Sequence, residues 1–258
     1  MAGDIRVVRD GDVLRITLDR PDRLNAAPPA MFDTIRTTLA DLDGARAVLL
    51  TGEGRAFCSG ADVAAVQAAG DGPAATHHAL THHYNPCLQA IADLPVPIVS
   101  AVRGAAASIG CSLALAADFC VASDDAYFLQ AFVNIGLVPD GGASWMLPRL
   151  IGRARATEMM MLGERVPAAK ALDWGMVHKV VADDALDAEA FALAERLAAM
   201  PTVALGLMRR AITAAYASDY AGAMEAEAVN QRAARGSADS MEGGIAFLTK
   251  RKPVFTGK

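Results

Sequence analysis

Three times along this chain a strand-like run gives way to a glycine-bearing loop that opens into a helix-like segment. The first is a strand over Ala47–Leu50, a loop over Thr51–Gly60 and a helix from Asp62. The second is a strand over Ile98–Val102, then Gly104, then a helix of small residues from about Ser108 to Ala116. The third runs from a strand at Phe119–Ala122 through a mixed region holding Phe128, Val133 and Ile135. It reaches the turn Val138-Pro139-Asp140-Gly141-Gly142 and a helix expected to begin near Ala143 and stop before Pro148. Two alternating runs around Asp10-Gly11-Asp12 predict a hairpin at the start. A helix from Pro28-Pro29 to about Leu42 should follow, because proline is tolerated in a first helical turn. After a polar stretch, Gly70 to Pro73, the pattern predicts a helix ending near Leu94. Beyond Gly152 it is mainly helical, apart from a strand expected at Met176–Val181. Strand pairs followed by helices, repeated two or three times, define an α/β chain. Strands cease before Pro201, so residues 1–200 are expected to form the core and residues 201–258 a helical region.

Composition narrows the classes. Hydrophobic residues make up 53% of 258 and charged ones 21%, enough apolar material for a large core and too much for a disordered chain. The net charge is −5, and no Lys/Arg stripe carries interleaved aromatics, so nucleic acid is not an expected partner. The longest uncharged apolar stretch, Gly104 to Ala117, is shorter than the roughly 18 residues of a membrane helix. The charged start MAGDIRVVRDGD lacks the apolar stretch of a signal peptide. Cys58, Cys87, Cys111 and Cys120 are scattered without CxxC spacing, as expected for reduced thiols in a cytoplasmic protein.

The three loops carry the chemical content. Gly52 to Asp62 lies between strand and helix but fits no phosphate-loop spacing, and Asp62 suits a first helical turn. Small residues around Gly110 let a second backbone or a ligand approach a helix N-terminus, whose free N–H groups attract a developing anion. Asp140, bracketed by Pro139 and Gly141, fits either a helix N-cap or a carboxylate held beside an apolar pocket, where desolvation raises its basicity. His78 and His82 lie one helical turn apart, but no third ligand is in reach, and no metal is expected.

Taken in order, these segments resemble the enoyl-CoA hydratase/isomerase (crotonase) superfamily. The match begins at Arg20-Pro21-Asp22-Arg23-Leu24-Asn25-Ala26. It continues through Ala56–Asp62, the Ala101–Asp118 block and Gly136–Gly142, and ends at Phe247–Pro253. The resemblance implies a crotonase-like spiral of repeated ββα units with a C-terminal helical region used for trimerisation. It implies an acyl-CoA thioester substrate, no separate cofactor, and assembly as a homotrimer or homohexamer. The backbone N–H groups of Ala61 and Ile109 are then expected to hold the thioester oxygen, each contributing about 3 kcal/mol to an enolate-like transition state. The second of these positions is commonly glycine in the family, so Ile109 is a departure. Arg23, Leu24, Asp62, Gly110 and Lys250 are expected on the coenzyme side, and Ser112, Phe132 and Trp145 around the acyl group.

The resemblance also ranks the reactions. Hydratases of the family carry two glutamates where this chain has Ser112 and Phe132. Adding water needs one group for the water and another for the second proton. Moving a double bond needs one base, and Asp140 matches the position where isomerases of the family carry theirs. Alternatives are a residual hydratase, a hydrolase or dehalogenase with Asp140 as nucleophile, and a CoA-binding subunit without activity.

Overall fold

The computed structural model describes residues 4–258 apart from 69 and 71. Met1 to Gly3 of the charged start, and Asp71 of the polar stretch, therefore lie outside the described residues. The chain begins with β1 (Ile5–Asp10), β2 (Val13–Leu18), a 3-10 turn at Pro21–Arg23, α1 (Pro29–Ala40), β3 (Ala47–Gly52) and α2 (Val63–Ala68). Next come α3 (Gly72–Ala79), a π-helical turn at Leu80–Tyr84, α4 (Asn85–Ala92), β4 (Ile98–Val102), β5 (Ala105–Ala107), α5 (Ile109–Leu115) and β6 (Phe119–Ser123). β7 (Tyr127–Leu129), a 3-10 turn at Ala131–Ile135, α6 (Ala143–Leu162), β8 (Val166–Pro167), α7 (Ala168–Asp173) and β9 (Lys179–Val181) follow. Helices α8 (Leu186–Ala198), α9 (Thr202–Ala215), α10 (Tyr220–Arg235) and α11 (Ala238–Leu248) close the chain.

The six-stranded sheet runs β1-β2-β3-β4-β6-β9; β1 and β2 form the antiparallel hairpin and every other neighbour is parallel. Period-two alternation divides its side chains between two cores. Leu14, Ile16, Leu18, Val48, Leu50, Ile98 and Val102 face the inner core with Met31, Phe32 and Ile35 of α1. Val13, Ala47, Leu49, Val99, Ala101 and Val121 face the opposite way, against Leu186, Ala190, Ala194 and Leu197 of α8. A second sheet, β5-β7-β8, contributes Ala106, Phe128 and Val166 to the inner core, and there are two isolated parallel bridges, Ala27 with Ala61 and Cys58 with Ala106.

Four expectations need correction. The helix from Ala143 does not stop before Pro148; it runs through it and breaks at Gly152, whose φ of 77° and ψ of 159° are not helical. The segment expected as one helix ending near Leu94 is α3, the π turn and α4. The strand expected at Met176–Val181 is only Lys179–Val181, because Met176 and Val177 are buried in the core ahead of the ladder. β5 and β7 lie where a loop and a mixed region were expected; three-residue strands are too short to display a period. No single helix among the described residues is long and apolar enough to cross a membrane.

Candidate active site

The first loop is held from two sides. Cys58 N–H donates to Ala105 O, and Ala107 N–H donates to Cys58 O, both at 2.9 Å. Three residues on, Ala27 N–H donates to Gly60 O at 2.8 Å, and Asp62 N–H donates to Ala27 O at 2.9 Å. In a parallel bridge of this kind the central residue, Ala61, turns its own N–H to the side away from Ala27. The loop backs onto the β5–α5 junction: a Cβ added at Gly60 would lie 3.3 Å from Ser108 Cβ and 3.4 Å from Ala107 O. Ser108, at φ 52° and ψ −125°, bends the chain sharply there. Its N–H donates to Leu129 O, and its carbonyl accepts from Cys111 and Ser112 as the first bonds of α5. The N–H groups of Ile109 and Gly110 precede those bonds and have no acceptor inside the helix. Gly110 lies so close to the first loop that a Cβ would fall 2.5 Å from Cys58 O. Only glycine permits that approach.

The Asp140 turn closes over the same junction. Ser112 Oγ donates to Asp140 O at 3.1 Å, and Ala143 N–H donates to the same carbonyl. Gly141, at φ +61°, leaves no room for a side chain: a Cβ would lie 2.5 Å from Ile109 Cδ1, 2.8 Å from Ser112 Cβ and 3.0 Å from Leu88 Cδ1. The N-cap of α6 is Gly142, and the Asp140 side chain caps nothing. Its Oδ1 is buried without a hydrogen-bond partner. Burial pushes this carboxyl up from its ordinary range to about 7. A desolvated carboxylate that no donor stabilises is a strong base for its type, and near neutral pH it can both take and return a proton.

The enoyl-CoA hydratase/isomerase family model matches residues 9–258. The chain belongs to that family. It is similar to the 1,2-epoxyphenylacetyl-CoA isomerase of Escherichia coli, with 42% identity over 95% of both chains. It is equally similar to a Rhodobacter capsulatus protein named "Probable enoyl-CoA hydratase", with 42% identity over 94% of both. A solved enoyl-CoA hydratase structure from a Polaromonas species superposes with a TM-score of 0.92 at 33% identity, covering 98% of this chain and 99% of that one. The crotonase-like spiral is thus the fold of this chain, and isomerase and hydratase names both occur among its relatives.

Within this crotonase-family chain the expected residues fall into two groups. Asp140, Ile109, Ser112 and Gly110 converge directly, and Ala61 joins them through Gly60. Leu24 adopts a left-handed φ of 51°, and its carbonyl accepts from Ser59 N–H, so the backbone of the Arg20–Ala26 motif lies along the first loop. Arg23 is exposed and has no ion-pair partner among the described residues. Asp62 is buried and committed: it accepts from Ala65 N–H and from Arg20 at 2.9 Å. Burial opposes its ionisation, but the Ala65 N–H and the Arg20 guanidinium hold its carboxyl below the ordinary value. Phe132 is buried in the 3-10 turn before Asp140. Trp145 is half exposed, with Arg149 over its ring at 4.3 Å and Tyr216 edge-on at 5.5 Å. It lines a cavity of about 500 Å³ with Leu88, Met146, Gly141 and Gly142. Lys250 follows α11, where its N–H donates to Phe247 O, and none of the bonds that join the convergent group involves it. Among the described residues no cluster of three or more His, Cys, Asp or Glu could hold a metal. His83 Nδ1 instead lies 2.6 Å from Asp33 Oδ2, and the His78 and His82 rings stack at 4.0 Å.

Sequence reasoning missed Asn25, Arg20 and Tyr84. Asn25 is fully buried at φ 54° and donates to Glu53 O and Ala56 O, which locks the first loop to the Arg20–Ala26 motif. Its signal was present as a polar residue inside a matching motif. Arg20 donates to Ala26 O and to Asp62. Tyr84 donates to Ala27 O at 2.9 Å and had no local signal.

Proposed function

We propose that the chain is an enoyl-CoA isomerase, moving a C=C bond along a linear or ring-derived acyl-CoA with Asp140 as its only acid/base. The thioester oxygen lies against the N–H groups of Ala61 and Ile109, which take the negative charge that develops when Asp140 removes a proton next to the carbonyl. Asp140 then returns the proton at a carbon further along the chain, so no water or cofactor is consumed. Arg23, Leu24, Asp62 and Lys250 lie toward the coenzyme, with Arg23 and Lys250 as phosphate partners. Phe132 and Trp145 border the acyl group. The core of residues 1–200 carries the site, and residues 201–258 assemble it into a trimer or hexamer in the cytoplasm.

One observation carries this reading. The turn that packs on α5 carries a largely buried carboxyl, raised to about 7 and with its Oδ1 unpartnered, while the positions that hold glutamates in the family's hydratases carry Ser112 and Phe132. The name of the E. coli relative supports ring-derived substrates. The hydratase names among the relatives favour water addition as a second reading, and the lack of a second carboxylate stands against it.

The purified chain is assayed against a 3-enoyl-CoA, a 2-enoyl-CoA and an epoxyphenylacetyl-CoA, with Asp140→Asn alongside. Isomerisation of the first or third is expected, and a loss of kcat on the order of 10³-fold in the variant, within the usual range for a general acid–base group. Coenzyme affinity should stay within a few-fold. Unchanged turnover in Asp140→Asn would remove Asp140 as the base; hydration of the 2-enoyl-CoA as the main activity would install the second reading.

A further inference from the structure

Tyr84 ends the π-helical turn and is buried to 2% exposure, yet its hydroxyl reaches across to Ala27 O at 2.9 Å. That same carbonyl accepts Asp62 N–H, and Ala27 N–H donates to Gly60 O. The Ala27 peptide is therefore the frame on which Ala61 is hung. Rotation of the Ala27 carbonyl would rotate the Gly60–Asp62 backbone with it, and with it the direction of the Ala61 N–H. The phenol is a second donor that fixes this carbonyl from the core side. A wide turn is what brings it there: Asn85 N–H bonds back five residues to Leu80 O, and the extra residue advances the helix face by about 100°. The neighbouring His83 pins the turn to Asp33 of α1, and Phe32 packs edge-on to the Tyr84 ring at 4.7 Å. Burial, and then the charge on Asp140, push the phenol up, so it stays a neutral donor whatever the state of the base.

We infer that Tyr84 is a positioning residue of the reaction, aiming the Ala61 N–H at the thioester oxygen by holding the Ala27 carbonyl. This rests on the proposed use of Ala61 but not on Asp140 being the base. The test uses a conjugated aryl-enoyl-CoA, whose absorption moves to the red when its carbonyl is polarised on the protein. Tyr84→Phe keeps the ring against Phe32 and removes only the hydroxyl. The red shift should shrink, and kcat for 3-enoyl-CoA should fall about tenfold with KM changed less than about threefold, since the loss is felt where the oxygen carries charge. Phe32→Leu loosens the same packing but spares the hydroxyl; it should lower the Tm and leave the red shift intact. A full red shift and parental kcat in Tyr84→Phe would overturn the inference, as would an equal loss of red shift in Phe32→Leu. If the parent shows the red shift but isomerises nothing, the proposed reaction fails and the role of Tyr84 is still read from the spectrum.

Discussion

At Asp140 the chain holds a largely buried carboxyl whose Oδ1 has no hydrogen-bond partner, and two consequences follow from one cause. The folded chain binds this proton more tightly than the unfolded chain, because burial raises the group from near 3.8 to about 7. Its contribution to stability is therefore fully present below the unfolded value and is lost as pH rises through about 7. Asp140→Asn, which never ionises, should melt higher than the parent at pH 8.5, and the difference should vanish near pH 4. The gain is on the order of a few kcal/mol, with each kcal/mol worth about 2–4 °C in a chain of this size. Thermal scans at the two pH values check it; a variant that melts lower at both would mean that the charge is compensated. The second consequence is kinetic. A base must be ionised to act, so kcat/KM should rise with pH to a midpoint near 7 and level off above it. A profile flat from pH 5.5 to 8.5 would contradict the environment described for this side chain.

Between elements, two glycines decide whether the parts meet. Gly141→Ala would drive a methyl into Ile109, Ser112 and Leu88 at a left-handed φ. Relief requires the Asp140 turn to lift off α5. A displacement near 1 Å is enough to cost about 100-fold in rate, so kcat should collapse while the fold survives. Gly110→Ala meets backbone instead, at Cys58 O, where nothing flexible can yield. Separation of α5 from the first loop should lower stability by about 1–3 kcal/mol, measurable by denaturant unfolding. Both glycines stood in motifs that the sequence displayed, which is why the convergence of Ala61, Ile109, Ser112 and Asp140 was legible. Their order and type carried it. β3 and β4 were legible as strands for another reason: both faces of that sheet are buried, so each reads as a short continuous apolar run bounded by turn residues. Pro148 misled because local propensity places a stop there, whereas tertiary packing carries α6 on to a Gly152 that can adopt a non-helical φ. Tyr84 was illegible for a different reason. Its partner is 57 residues away, and a one-residue widening of a helix leaves no mark in the pattern of apolar residues.

Across the whole molecule, the burial of apolar surface is uneven in a way that the single chain does not resolve. The sheet, α1, α5 and α8 enclose their side chains, whereas the last three helices leave theirs outside: Met208 and Ile212 on α9, Met224 and Val229 on α10, Met241 and Ile245 on α11. Phe247 and Leu248, at the end of α11, are 83% and 81% exposed. Large apolar side chains left exposed on three successive helices suggest a face that a partner covers. Ile135, Leu137 and Val138, just ahead of Asp140, are exposed as well, so the approach to the site is also left uncovered by one chain alone. Self-association through the C-terminal helices would cover the first surface, and the expected assembly is a trimer or hexamer. Sedimentation at micromolar concentration should show one of these, with no monomer. The paired substitution Phe247→Asp and Leu248→Asp places two charges where the partner must pack, and desolvating them would cost several kcal/mol. The variant should therefore sediment as a monomer with its circular dichroism intact, because neither side chain supports the core of its own chain. A parent chain that sediments as a monomer would mean that these helices bury their apolar faces some other way. A variant that still assembles would move the interface off the end of α11 and onto the flanks of α9 and α10.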